Sequence, residues 1–184
     1  MRIIAGEYKG RIIKSLSGNR TRPTSDRLRE TLFNIIAPHI GEGTRFLDLC
    51  SGTGAIGIEA ISRGCSFVCF IDISRKACAV VEENLDNLEI PEDVTEVVCE
   101  AAENFVSRPQ KMPWDIVFYD PPYSDDHLPV LREFAVAAGE KLAPDGMLII
   151  EHHSKTPLPD GLGNLRRWRI LKQGESSLSF YEYS

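Results

Sequence analysis

An α/β fold is predicted, a doubly wound and mostly parallel sheet of seven strands with a basic β-hairpin ahead of it. Three observations predict it. Apolar runs such as Ile116-Val117-Phe118-Tyr119 and Met147-Leu148-Ile149-Ile150 are near-continuous, the pattern of strands buried on both faces. Stretches of helical spacing lie between such runs, and strands alternating with helices build parallel sheets. Finally, the string Ser51-Gly52-Thr53-Gly54-Ala55-Ile56-Gly57 joins a predicted strand to a predicted helix, as in sheets that bind a ligand at the carboxyl ends of their strands.

Taken in order, Arg2 to Ala5 and Arg11 to Leu16 read as two short strands, with Glu7 to Gly10 turning between them. Gly18 to Pro23 is a loop, and Thr24 or Ser25 caps a helix from Asp26 to Ile36. That helix carries Leu28, Leu32, Phe33, Ile35 and Ile36 on one face. Arg45 to Leu49 is a strand, and the glycine string opens a helix that stops near Gly64. Ser66 to Ile71 is the next strand, ending at Asp72, and Ser74 to Leu88 the next helix. A strand at Thr95 to Cys99, a short helix near Ala102 to Val106 and the Trp114 to Tyr119 strand follow. Leu128 to Leu142 reads as helical, Pro144-Asp145-Gly146 as a turn and Met147 to Ile150 as a strand. After a loop at Thr156 to Asn164, Arg166 to Leu171 and Ser177 to Tyr183 close the sheet as a pair.

Composition bounds the class. With 42% hydrophobic and 26% charged residues, the 184-residue chain is an ordinary globular protein large enough for one proper core. No apolar run approaches membrane-spanning length, and the amino terminus lacks a signal-peptide apolar region, so a cytoplasmic protein is expected. The five cysteines, Cys50, Cys65, Cys69, Cys78 and Cys99, contain no C-x-x-C pair and read as reduced thiols. The net charge of −6 is uneven: residues 1–29 carry a surplus of six positive charges. A basic segment on an acidic body implies a local anionic contact, unless it is a solvated tail; the interleaved Ile3, Ile4, Tyr8, Ile12 and Ile13 favour a folded piece. Arg22, Arg27 and Arg29 gather at the start of the first helix, where cations oppose the helix dipole. A bound phosphate or a nearby carboxylate would compensate.

Gly52-x-Gly54-x-x-Gly57 with Asp72 twenty residues after Gly52 is the pattern of a Rossmann-like adenosine site. A nicotinamide dinucleotide is the first ligand to consider. However, Asp48 stands just before the turn, and a carboxylate repels a pyrophosphate but attracts an ammonium or a sulfonium. S-adenosylmethionine carries both cations and no phosphate. Glycines serving only helix–strand packing are the plainer alternative. At the third strand's end, Glu100 can accept from an adenine amino group or stand as a surface glutamate, with Ala101 beside it.

Asp120-Pro121-Pro122-Tyr123 follows the Trp114 to Tyr119 strand. Two prolines fix φ and remove two N–H donors, leaving a rigid corner rich in acceptors with a flat ring beside it. Such a corner suits a planar group that bears an NH2, whereas a simple strand-ending turn needs only Asp and one Pro. Methylating an exocyclic amino nitrogen requires acceptors on the amino group, stacking on the base and an aligned methyl. Asp120 and a proline-segment carbonyl supply the first, Tyr123 the second. Glu151-His152-His153 lacks a third ligand at a recognised spacing, and no metal is expected. His127 with Asp125 and Asp126 reads as a solvated loop, and Trp168 among Arg166, Arg167 and Arg169 as a strand residue with basic neighbours.

Four stretches resemble the RsmD-type small-subunit rRNA guanine-N2 methyltransferases: Met1 to Gly10, Arg22 to Asn34, Phe46 to Ala60 and Asp120 to Tyr123. The last two occur in many amino methyltransferases, the first two in this group. The resemblance covers nearly the whole chain. It implies an S-adenosylmethionine-dependent methyltransferase fold and methyl transfer to N2 of one guanine in 16S rRNA. An assembled or assembling small ribosomal subunit is the substrate it implies. A monomer working without metal or membrane is expected. Residues 1–23 would form an RNA-binding extension and residues 24–184 the methyltransferase domain. Cofactor contacts are then expected from Asp48, Ser51, Gly52, Thr53, Gly54, Asp72, Ile73, Glu100, Ala101 and Asp120, base contacts from Asp120, Pro121, Pro122 and Tyr123, and RNA contacts from Arg2, Lys9, Arg11, Arg20, Arg22 and Arg27. An adenine-N6 methyltransferase on RNA or DNA uses the same tetrapeptide. A non-catalytic ribosome-assembly factor is the alternative from another class.

Overall fold

The computed structural model describes residues 1–16, 26–135 and 139–184, which form two compact units, Met1–Glu100 and Ala101–Ser184. The predicted loop from Gly18 to Pro23 and the capping Thr24 or Ser25 lie outside the described residues.

In the first unit, the predicted amino-terminal strands reduce to one antiparallel bridge, Arg2 with Ile12. The Ile3 N–H donates to the Arg11 carbonyl at 3.0 Å and the Ile13 N–H to that of Met1 at 3.0 Å. The ladder stops there because neighbouring backbone donors are committed to helices. Those of Ile4 and Ala5 reach the Glu59 carboxylate at 2.8 and 3.0 Å, and that of Tyr8 reaches Ser62 Oγ at 3.0 Å. Gly6, at φ +83°, makes the approach possible: a Cβ there would lie 1.7 Å from the Ser62 carbonyl oxygen.

Helix α1 (Asp26–Ile36) has its predicted bounds and buries Leu28, Leu32, Phe33 and Ile36. It also buries Arg29, which donates to the Arg2 carbonyl at 2.5 Å and pairs with Asp26 at 3.1 Å. For this arginine, a carboxylate supplies the compensation that its position in the first turns demands. Strands β1 (Arg45–Leu49), β2 (Phe67–Asp72) and β3 (Thr95–Cys99) pair in parallel in the order β3-β2-β1. Helices α2 (Ala55–Ser62) and α3 (Arg75–Leu88) pack on them, with Ser74 Oγ capping α3 by accepting from the Ala77 N–H at 3.3 Å. Phe46, Leu47, Phe70, Ile71, Ile58 and Val81 are wholly buried.

The second unit holds α4 (Ala102–Ser107), β4 (Trp114–Tyr119), α5 (Leu128–Phe134), β5 (Leu142–His153), β6 (Gly161–Leu162), β7 (Leu165–Gln173) and β8 (Ser176–Tyr183). The strand order is β4-β5-β8-β7-β6, with β4 and β5 parallel and the later pairs antiparallel. Three expectations change here. The helix predicted to run to Leu142 ends at Phe134: Leu142 pairs with Trp114 as the first residue of β5, and Gly139 takes φ +86° before it. The Pro144-Asp145-Gly146 turn lies inside β5 as a bulge. Between the pairs Trp114–Leu142 and Ile116–Met147, residues Ala143 to Gly146 stand against the single Asp115. The two-residue β6, read as loop, makes the strand count eight rather than seven among the described residues.

Candidate active site

The glycine turn belongs to the first unit. Cys50, Gly52 and Gly54 take positive φ of 64°, 56° and 77° in alternation, which swings the chain from β1 into α2. Gly57 and Gly52 differ in purpose. A Cβ on Gly57 would meet Phe70 Cε1 at 2.2 Å, so packing reserves that position. A Cβ on Gly52 would meet nothing within 4 Å, which leaves the backbone there open to a ligand. Asp72 closes the turn: its carboxylate accepts from the Gly52 N–H at 2.9 Å and, through its other oxygen, from the Ser74 N–H at 2.8 Å. Each oxygen keeps a further lone pair for a ribose hydroxyl. Ile73 beside it is 75% exposed. Ser51 is buried, and its hydroxyl has no partner among the described residues. Open space over a turn, a half-exposed acid, an apolar neighbour and an orphaned hydroxyl fit an adenosine. No cation supports a pyrophosphate within the turn itself, residues 48–57.

Asp48 is 1% exposed, and its Oδ2 accepts from the Gly57 N–H at 2.9 Å. Burial pushes its carboxyl up to about 7; the Gly57 hydrogen bond opposes this and Asp72 adds to it. With the folded value above the unfolded one, the protonated form stabilises the fold, and that stability is lost as pH rises from about 4 through about 7. The expected loss is about 4 kcal/mol at about 1.4 kcal/mol per unit. Urea unfolding from pH 4 to 8 should show this fall in the wild type and a flatter profile in Asp48→Asn, and parallel profiles would refute the assignment.

Asn84, a residue no sequence signal singled out, ties the turn to the amino-terminal segment. Its Nδ2 donates to the Thr53 carbonyl at 3.0 Å and that of Lys14 at 3.2 Å, while its Oδ1 accepts from the Lys14 N–H at 2.7 Å. Glu100 is half-buried at the end of β3, and its N–H donates to the Asp72 carbonyl at 3.0 Å.

The proline corner belongs to the second unit, as does Ala101 just ahead of α4. Asp120 is half-buried after β4, Pro121 buried, Pro122 and Tyr123 exposed. A turn follows, with the Asp125 N–H donating to the Pro122 carbonyl at 2.9 Å. The Tyr123 ring is held at its rim: its hydroxyl bonds Ser176 Oγ at 2.6 Å, and His153 meets it edge-on at 5.4 Å between centroids. One end of the ring is thereby fixed while the ring remains 37% exposed. Ser176 carries no local signal in the sequence, because only the pairing of β8 with β5 brings it there.

His127, expected in a solvated loop, is buried at 2% exposure. Its ring meets Tyr119 and His152 edge-on, and its Nε2 has no partner among the described residues. Burial holds its pKa below the usual value. His152 bonds Ser179 Oγ at 2.9 Å, and no cluster able to hold a metal occurs among the described residues.

Of the basic residues expected at RNA, Arg2 donates to the Gly10 carbonyl at 3.0 Å and Arg11 to the Asn87 carbonyl at 2.8 Å. Lys9 and Arg27 are exposed, while Arg20 and Arg22 lie outside the described residues. No helix among the described residues is long and apolar enough to cross a membrane.

The family model described as Conserved hypothetical protein 95 matches residues 1–182. The chain is 32% identical over 187 residues to Ribosomal RNA small subunit methyltransferase D of Haemophilus influenzae, covering 98% of this chain and 91% of that protein. It is 31% identical over 182 residues to the protein of the same name from Escherichia coli K12, covering 99% and 89%. Among solved structures, the one titled "Putative methyltransferase yhhF from Escherichia coli" superposes with a TM-score of 0.86 at 31% identity, covering 100% of this chain and 98% of that one.

Proposed function

The chain belongs to the RsmD family of small-subunit rRNA methyltransferases, and from that premise we propose that it methylates the exocyclic N2 of one guanine in 16S rRNA, within an assembled or assembling small subunit. S-adenosylmethionine, when bound, supplies a methyl group activated by its sulfonium. Asp72 accepts from the ribose, the open backbone at Gly52 admits the adenosine, and Asp48 is buried beneath the turn, where the donor's cations would favour its ionised form. Glu100 and Ala101 stand next in the chain for the adenine, with Ile73 offering an apolar face.

The observation that carries the reading is the proline corner. Asp120 and the proline carbonyls accept from the amino group, and Tyr123, pinned by Ser176 and His153, offers a face to the base. Acceptors there favour the pyramidal nitrogen that forms as the N–C bond is made and the methyl's bond to the donor sulfur breaks, and the Asp120 carboxylate can take the proton that the nitrogen then loses. A base inside a helix cannot reach such a corner, so an accessible or extruded nucleotide is the substrate. Lys9, Arg11 and Arg27 supply phosphate contacts, with Arg2, Arg20 and Arg22 completing the basic segment.

The test is transfer from labelled S-adenosylmethionine to small subunits lacking the modification, beside naked 16S rRNA and duplex DNA. Label recovered as N2-methylguanosine at one position is expected. Label as N6-methyladenosine would move the activity to an adenine enzyme, and donor binding without transfer to any substrate would indicate an assembly factor. Asp72→Ala should weaken donor affinity by about ten- to a hundred-fold, the loss of a charged hydrogen bond. Calorimetry checks it, and an unchanged affinity would remove Asp72 from the site.

A further inference from the structure

Strand β7 carries Arg166, Arg167, Arg169 and Lys172 and no acid, in a chain whose net charge is −6. Between Arg167 and Arg169 its register against β8 shifts, so that Trp168 is an extra residue in the ladder. Such a bulge places the two residues at the irregularity on one side of the sheet. Here these are Trp168, whose ring lies 5.5 Å from that of Phe180, and Arg169, the register partner of Phe180. Phe180 is wholly buried beside the indole, while Trp168 stays 38% exposed. Arg169 is exposed, with no ion pair among the described residues, whereas Arg166 and Arg167 pair with Glu182 and Asp160. The result is a supported aromatic ring beside an unneutralised guanidinium.

We infer that the Trp168–Arg169 bulge of β7 is a second RNA contact, taking an unpaired nucleotide of the substrate with its base on the indole and its phosphate on Arg169. This rests on the rRNA reading above. Two observations favour that occupant. Charge complementarity selects a polyanion, and an exposed ring beside a cation is the pairing that single-stranded nucleic acid uses for stacking and phosphate contact. The strand also leads to the proline corner: Gln173 of β7 is the register partner of Ser176, which bonds Tyr123. Four residues of strand separate Arg169 from Gln173, about 13 Å, so one RNA segment can engage both. Past Arg166, where its pairing with β6 ends, β7 is the open edge of the sheet; cations there also serve to block pairing with a second copy, and the test separates the two roles.

The test measures 16S rRNA binding by the full chain across a salt series, for wild type, Trp168→Ala, Trp168→Phe, Arg169→Glu and Arg169→Lys. Trp168→Ala should weaken binding about ten-fold, with Phe restoring most of it. Arg169→Glu should weaken binding and lower the logarithmic salt slope by about 0.7, with Lys nearly neutral. S-adenosylmethionine affinity should stay unchanged in all four, which shows that the fold is intact. Unaltered RNA affinity and slope in Trp168→Ala and Arg169→Glu, with wild type active on small subunits, would overturn this inference alone. Self-association of Arg169→Glu with unaltered RNA binding would overturn it in favour of edge protection. A wild type that neither binds nor methylates rRNA would overturn the inference together with the reading beneath it.

Discussion

Replacing Asp120 with alanine should lower the single-turnover rate of methyl transfer by about 10²- to 10³-fold while S-adenosylmethionine affinity stays nearly unchanged. The size follows from what the amino group needs. Its lone pair is conjugated into the base, and reaction with the methyl requires that conjugation to be given up. A carboxylate accepting from the amino group favours the change more in the transition state than in the ground state, and so acts on rate rather than binding. The proline carbonyls remain as neutral acceptors, weaker than a carboxylate, so the loss is compensated only in part. Asp120→Asn keeps one acceptor oxygen without the charge and should fall between wild type and alanine. Single-turnover kinetics with labelled donor, paired with calorimetry, separate rate from affinity. Retained turnover in the alanine variant would remove Asp120 from the chemistry.

The second large effect concerns stability. Glu59, in α2, is fully buried, and its carboxylate accepts from the Ile4 N–H, the Ala5 N–H and Arg63 Nε at 2.8, 3.0 and 2.8 Å. Glu59→Ala leaves two backbone donors and a largely buried guanidinium without their acceptor. Breaking such an arrangement from one side costs about 3–5 kcal/mol, a large share of a domain's stability. The amino-terminal segment, held also by Ser62 and Asn84, should loosen first. Urea unfolding would show the midpoint falling, and hydrogen exchange would show lost protection at Ile4 and Ala5. A change below about 1 kcal/mol would mean that water replaces the carboxylate at little cost.

The elements written by neighbouring residues were legible without coordinates. Helix α1 and strands β1, β3 and β4 have the bounds that apolar spacing predicts, because those patterns follow the geometry of a single element. The glycine turn, Asp72 at the end of β2 and the proline corner were legible for the same reason: their conformations are demanded by residues a few positions apart. The stretch after Phe134 was not. Its apolar residues suit a helix, but Leu142 pairs with Trp114, and the Pro144-Asp145-Gly146 turn is absorbed into the bulge that this pairing leaves.

What the sequence determined by itself is the α/β alternation, the glycine turn, the corner at Asp120 and the basic character of the amino-terminal segment. What tertiary structure alone decided is which groups are spent and which remain available. Arg29, one of three apparently equivalent arginines, is consumed inside the fold, and Glu59 becomes the anchor of a segment more than fifty residues away. Ser176 reaches Tyr123 across a similar span, and one extra residue in β7 sets Trp168 beside Arg169. Local patterns record the backbone's own preferences. Burial, register and long-range hydrogen bonds arise only when distant segments compete for the same partners, and no window of neighbouring residues contains that competition.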